Sequence, residues 1–285
     1  MPDSASKNNT ARFSTLCSPD DEKSCFACCP PIRPAGYDHA DHQQALTRQF
    51  WENTRDFARY GPGEKIITGF QCWGLGFLDQ KRVMIGCMLH PGRNQGRDLR
   101  DLTGYGDKCR RELCQEAVIF SGLASASAEF VLELARGLDS FAYSSLKRNP
   151  AFRLLHWGPK LIESLALSEP AGLDRDEYLK RYAFLERDLD PKRDAYPVEL
   201  LLDRFDLNVL GRSDFLTRYR DDLTRFSARH RQAVTLPLEN RPYLHQLDLP
   251  SHFINFLRHA LGWSRSLPSQ AEAVRRELDR LLIEF

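Results

Sequence analysis

Three cysteines fall within five consecutive positions of SCFACCPP (24–31): Cys25, Cys28 and Cys29. Thiols crowded in this way bind soft metal ions, pair as disulfides or exchange electrons. The rest of the chain extends the pattern with Cys72, with Cys87 three residues before His90, and with Cys109-x4-Cys114. A C-x2-C pair can grip one ion because a tight turn brings both sulfurs to tetrahedral distance. The second half of such a site usually comes from a distant pair, and Cys109 with Cys114 suits that part. The candidate ligands are therefore Cys25, Cys28, Cys29, Cys72, Cys87, His90, Cys109 and Cys114. Cys17 completes a count of eight cysteines and receives no role.

The vicinal pair Cys28–Cys29 adds a constraint. Neighbouring side chains diverge in extended backbone, so two adjacent cysteines rarely chelate one ion together. Either one is a spectator, or the two serve two ions or two atoms of a cluster. Eight thiols and one imidazole suffice for two four-coordinate zinc sites, or for one iron–sulfur cluster with thiols to spare. Zinc is the expected cofactor; iron or an iron–sulfur cluster is the alternative. A redox C-x-x-C normally opens a helix in a βαβ unit, whereas CFACCPP runs straight into prolines.

Other chemistry-bearing residues have plainer readings beside the functional one. His90 either completes a Cys-x2-His half-site or bonds a nearby carbonyl. His39 and His42 share a helical face, but Asp38 and Asp41 beside them read as helix caps. The loop 93–111 gathers Arg93, Arg97, Arg100, Lys108, Arg110 and Arg111 among glycines. Two zinc ions held by eight thiolates carry a charge of about −4, which is costly to bury without cations nearby. The arginines either neutralise that charge or grip an acidic substrate. Beyond residue 114 no H-E-x-x-H, nucleophile elbow, P-loop or G-x-G-x-x-G occurs.

The order C-x2-CC, a cysteine ahead of FLD, then C-x-L-H-P and C-x4-C resembles the YkgJ-type zinc- or iron-chelating cysteine-cluster proteins. The resemblance covers residues 25–114 and rests on Cys25, Cys28, Cys29, Cys72, Cys87, Cys109 and Cys114. It implies metal binding without implying a reaction. This chain departs from the pattern in three places. Four residues separate Cys72 from FLD, residues 90–108 are longer than usual, and His90-Pro91 stands where Tyr and Arg-Pro are expected. The departures leave the role of Cys72 open and make His90 a possible extra ligand.

The elements that must position these residues divide at the last cysteine. All eight lie in the first 114 of 285 residues. Residues 1–24 are polar and irregular, 25–114 form the cysteine-rich module, and 115–285 form a helical domain. PPIRP (30–34) blocks regular structure. A helix is expected from Tyr37 to Tyr60 around Leu46, Phe50 and Phe57, ended by GPGE. The β-branched and aromatic run 65–91 predicts short strands, with DQKR (79–82) as a hairpin turn. From Arg110 the pattern is helical, with a long helix or broken pair over 116–147. The last helix shows an apolar stripe of Ala271, Val274, Leu278, Leu281 and Phe285. The fold class is mainly α: a small metal module with a short β-hairpin, plus an all-helical C-terminal region.

A net charge of +1 argues against a general attraction to nucleic acid or anionic membrane. The longest uncharged stretch, 117–128, has 12 residues, short of the roughly 18 a membrane span needs. The N-terminus carries no apolar signal core, so a cytoplasmic location is expected, where disulfides are uncommon. The expected function is that of a metal-stabilised binding or interaction protein, its helical half facing a protein or small-molecule partner. The alternative is an enzyme or electron carrier with an iron–sulfur or open zinc site, holding substrate on the loop 93–111.

Overall fold

The computed structural model describes residues 15–21, 23–29, 36–67, 72–111, 114–170, 172–232 and 241–285. PPIRP and positions 68–71 of the strand-rich run lie outside them. The chain is mainly helical, with one two-stranded hairpin. It divides into two compact units, residues 1–122 with 137–149, and residues 123–136 with 150–285.

In the first unit, helix α1 (Gln43–Tyr60) follows a 3-10 turn, His39–His42. Asp38 caps that turn, accepting from the Ala40 amide at 2.9 Å. Leu46 and Phe50 on α1 are fully buried, and Gly61 stops the helix at a φ of +71°. The same face carries Asn53 and Thr54 onto the hairpin. Asn53 donates to the Leu75 carbonyl at 2.9 Å, and Thr54 Oγ1 accepts from the Phe77 amide at 2.8 Å.

The hairpin pairs β1 (Leu75–Phe77) with β2 (Ile85–Cys87) antiparallel. Asp79 builds its turn, accepting from the Val83 and Met84 amides at 2.9 and 2.8 Å. Gly76 and Gly86 face each other across the ladder. A Cβ on Gly76 would meet Thr54 and Met88 at 2.6 and 2.7 Å, and one on Gly86 would meet Leu78 and Ser24 at 2.5 Å. Glycine at both places lets α1 and the Ser24 segment close on the two strands. Phe26, Leu46, Phe50, Leu75, Phe77, Ile85 and Phe141 form the apolar core. Phe26 meets Phe50 and Phe141 edge-on, at 5.5 Å in each case.

So little regular structure leaves many backbone groups without ladder partners. A run of serines from 140 to 145 supplies several. Ser144 Oγ accepts from the Phe26 amide at 2.9 Å, and Ser140 Oγ from the Ile85 amide at 3.2 Å. Ser145 donates to Asp38 at 2.9 Å, and Tyr143 donates to the Leu16 carbonyl at 2.7 Å. These bonds bring residues 137–149 into the first unit. Here α2 (Gly106–Arg111) and α3 (Gln115–Ser121) follow the arginine-rich loop.

The region expected to hold one long helix or a broken pair is broken into Gln115–Ser121, Ser125–Glu133 and Ser140–Tyr143. In the second unit, helix Pro191–Leu201 packs on Ser251–His259 and on the final helix, Pro268–Ile283. The final stripe is Ala271, Val274, Leu278 and Leu282, with Leu282 in the place expected for Leu281. Steps of three, four and four residues track the 3.6-residue turn. Trp157, Phe253, Phe256 and Trp263 are core, as their spacing predicts. Asp194 is fully buried, bonded to Arg193, Tyr219 and the Asp190 amide at 2.7–3.0 Å.

Candidate functional site

The cysteines reach the first unit on five stretches of chain, each fixed by local bonds. Cys25 donates its amide to the Cys17 carbonyl at 2.9 Å, so these two stand side by side. The turn Phe26–Cys29 closes with the Cys29 amide on the Phe26 carbonyl, at 3.0 Å. Because Phe26 enters the core, Cys29 packs against that core, which includes Cys72, while Cys28 faces solvent. Cys28 and Cys29 remain hydrogen-bonded through their side chains.

Cys72 precedes β1, its carbonyl accepting from the Leu75 amide at 3.0 Å. Leu75 lies opposite Cys87, which ends β2. Cys109 sits on α2, and Arg100 Nη1 donates to its carbonyl at 3.1 Å. Cys114 caps α3.

Four sulfurs accept backbone amides. Ala27 donates to Cys25, Gly74 to Cys72 and Ala117 to Cys114, each at 3.4 Å, and Leu89 donates to Cys87. In three of the four the donor lies two residues beyond the cysteine. An amide aimed at sulfur stabilises thiolate over thiol. Burial opposes it. Burial pushes Cys72 up to about 11 and Cys87 and Cys114 up to about 12. It also raises Cys25 strongly, and Cys17 and Cys109 less far. Cys29 is raised by its bond to Cys28 first and by burial second. These groups are therefore neutral thiols near pH 7, although donors already face several sulfurs.

Ionisation of any one of these thiols is opposed further by its neighbours, because two thiolates side by side repel. Cys25 is raised by Cys28, Cys17 and Cys114, and Cys29 by Cys28, Cys87 and Cys72. Cys87 is raised by Cys72 and Cys109, and Cys109 by Cys28. Tyr143 is raised far above its usual range by burial and then by Cys25 and Cys17. Cys17, absent from the expected ligands, belongs with Cys25 and Cys28. The one sequence signal for it is membership in a cysteine population confined to the first 114 residues.

His90 is exposed and begins a 3-10 turn, its Nδ1 accepting from the Gly92 amide at 3.2 Å. Burial and the Arg100 charge lower its pKa. His39 packs against Phe26 and Tyr37, at 4.7 and 5.1 Å, and His42 stacks on Tyr37 at 5.1 Å. In the arginine loop, Arg100 forms a fork on Asp98 at 2.8 and 2.6 Å. Its charge lowers Cys87 and Cys109. Arg110 binds Asp101 and Asp107, both at 2.7 Å. The side chain of Arg111 lies outside the described residues.

Among the described residues, no three His, Cys, Asp or Glu side chains are disposed to hold a metal ion as they stand. No described helix is long and apolar enough to cross a membrane. No protein-family model, no curated protein and no solved structure matches the chain.

Proposed function

We propose that the first unit is a metal-binding module in which cysteine thiolates hold zinc, and that the metal stabilises it as part of a binding protein. The observation that carries this reading is the gathering of amide-supported sulfurs from separate stretches of chain in a unit with little regular structure. Backbone donors aimed at sulfur serve an anionic thiolate, and buried thiolate needs a cation. Closed cysteine sites stabilise loop-rich segments because binding energy becomes folding energy. The motif residues shared with YkgJ-type proteins support the same chemistry. Arg100, already paired with Asp98, suits the part of counter-charge better than that of a substrate grip. The helical second unit is the surface offered to a protein or small-molecule partner.

Elemental analysis with the visible spectrum, on protein purified without oxygen, tests the reading. Zinc with no iron–thiolate absorption near 400 nm supports it. Iron with matching sulfide redirects it to redox chemistry at the same cysteines. Metal-free protein with reactive thiols overturns it.

A further inference from the structure

We infer that the second unit carries a binding site for a small organic phosphate, in a cleft lined by Arg193, Arg220 and Arg231. This rests on the reading of the helical unit as a partner surface and names the chemistry of that partner; it draws nothing from the cysteines. The cleft measures about 400 Å³, within the size range of small-molecule sites. One wall is a face of helix Ser213–Gln232, where Arg220, Thr224, Ser227 and Arg231 follow at steps of four, three and four residues. The first turn of helix Pro191–Leu201 brings Arg193, and the end of helix Ser251–His259 brings Ala260.

Each guanidinium is held in place before a ligand arrives. Arg193 forks onto Asp194 through Nε and Nη2 at 3.0 and 2.7 Å, and its Nη1 takes no part in the fork. Asp194 is fully buried, and its oxygens also accept from the Tyr219 hydroxyl and the Asp190 amide at 3.0 and 2.7 Å. That carboxylate is saturated within the protein, so it fixes the arginine without neutralising the open cleft. Arg220 Nη2 bonds the carboxylate and the carbonyl of Asp188 at 2.6 and 3.0 Å. Arg231 Nε donates to the Ala260 carbonyl at 3.0 Å, and among the described residues Arg231 has no carboxylate partner. Three arginines against two aspartates leave the lining with an excess of one positive charge. A carboxylate engages one guanidinium fork, whereas the three terminal oxygens of a phosphate monoester can accept from three. Free phosphate would leave much of the cleft unfilled, and Leu223, Ala228 and Ala260 supply apolar lining for an organic body.

Isothermal titration calorimetry of the full chain with phenyl phosphate, inorganic phosphate and benzoate tests the site. Phenyl phosphate is expected to bind about tenfold more tightly than either of the others. Equal affinity for all three, or no binding of phenyl phosphate, overturns the proposal. Arg231→Gln is expected to weaken phenyl phosphate about tenfold. Ala228→Trp, which fills the cleft and alters no charge, is expected to abolish binding. Arg225→Gln, on the same helix but outside the cleft, is expected to leave it unchanged; an equal loss there would mean attraction to overall charge and would overturn the site. Phenylglyoxal labelling of the unaltered chain, read by peptide mass spectrometry, needs no variant to fold. Phenyl phosphate is expected to shield Arg220 and Arg231 but not Arg225, and shielding of none or of all three refutes the cleft. Zinc content bears on the metal reading alone, so the two proposals fail separately.

Discussion

Asp98 and Arg100 show how one residue pair supports the thiol-bearing loop. The guanidinium fork of Arg100, with a third hydrogen bond from its backbone amide, holds the Asp98 carboxyl at about 2, below the usual carboxylate value of about 3.9. A carboxylate whose folded value is depressed adds stability above its unfolded value and loses that contribution as the pH falls through the folded one. Discounted for solvent, the pair contributes about 1 kcal/mol. Urea midpoints at pH 6 and pH 2 should therefore lie closer together for Asp98→Asn than for the unaltered chain; an unchanged gap removes the pair from the acid response. Asp194 is a harsher case in the second unit. It is fully buried with Arg193 and Tyr219 bonded to it, so Asp194→Ala should cost about 3–5 kcal/mol in chemical denaturation. A loss under 1 kcal/mol would refute that estimate. Neither role is legible in the sequence, where Asp194 is one carboxylate among many and Tyr219 lies 25 residues away.

At the scale of elements, local signals were readable and close approaches were not. The turn at 79–82 could be foreseen because Asp79 bonds its own neighbours, and α1 because Leu46, Phe50 and Phe57 repeat on one face. The segmentation of 115–143 was only half foreseen. Alanine favours helix while the serines among it equally suit caps and turns, so the run does not fix where helix stops; here one piece ends at Gly122 and another begins at the Asp139 cap. Gly76 and Gly86 look like ordinary strand glycines until Thr54, Met88, Ser24 and Leu78 are seen pressed on them. Gly86→Ala should push Ser24 off the Ile85 carbonyl and cost about 1–3 kcal/mol. Thermal unfolding measures this, and a neutral result would mean that Leu78 and Ser24 yield without loss. Ser24 is the neighbour of Cys25, so on the metal reading proposed above the same substitution should also lower zinc affinity.

For the molecule as a whole, the confinement of cysteine to the first 114 residues was the most informative feature of the sequence. It located the candidate site but not its membership. Cys17 joins Cys25 through one backbone hydrogen bond, which no spacing rule announces. On the metal reading, a strong chelator should raise hydrogen exchange across 25–114 while the amides of the second unit keep their protection. Equal loss of protection in both units would argue that the metal does not act on the first unit in particular.

The chain leaves the first unit after residue 122 and returns at 137 to contribute Ser140, Tyr143, Ser144 and Ser145. During synthesis, then, the cysteine-bearing half emerges from the ribosome before the hydroxyls that satisfy its backbone. A nascent chain halted at 122 holds all eight cysteines but lacks the partners of the Phe26 and Ile85 amides. Completion of this unit waits for residue 149, by which time helix Ser125–Glu133 of the second unit has already been made. The order in which the ribosome delivers the chain thus sets a window in which the thiols are present and their enclosure is not.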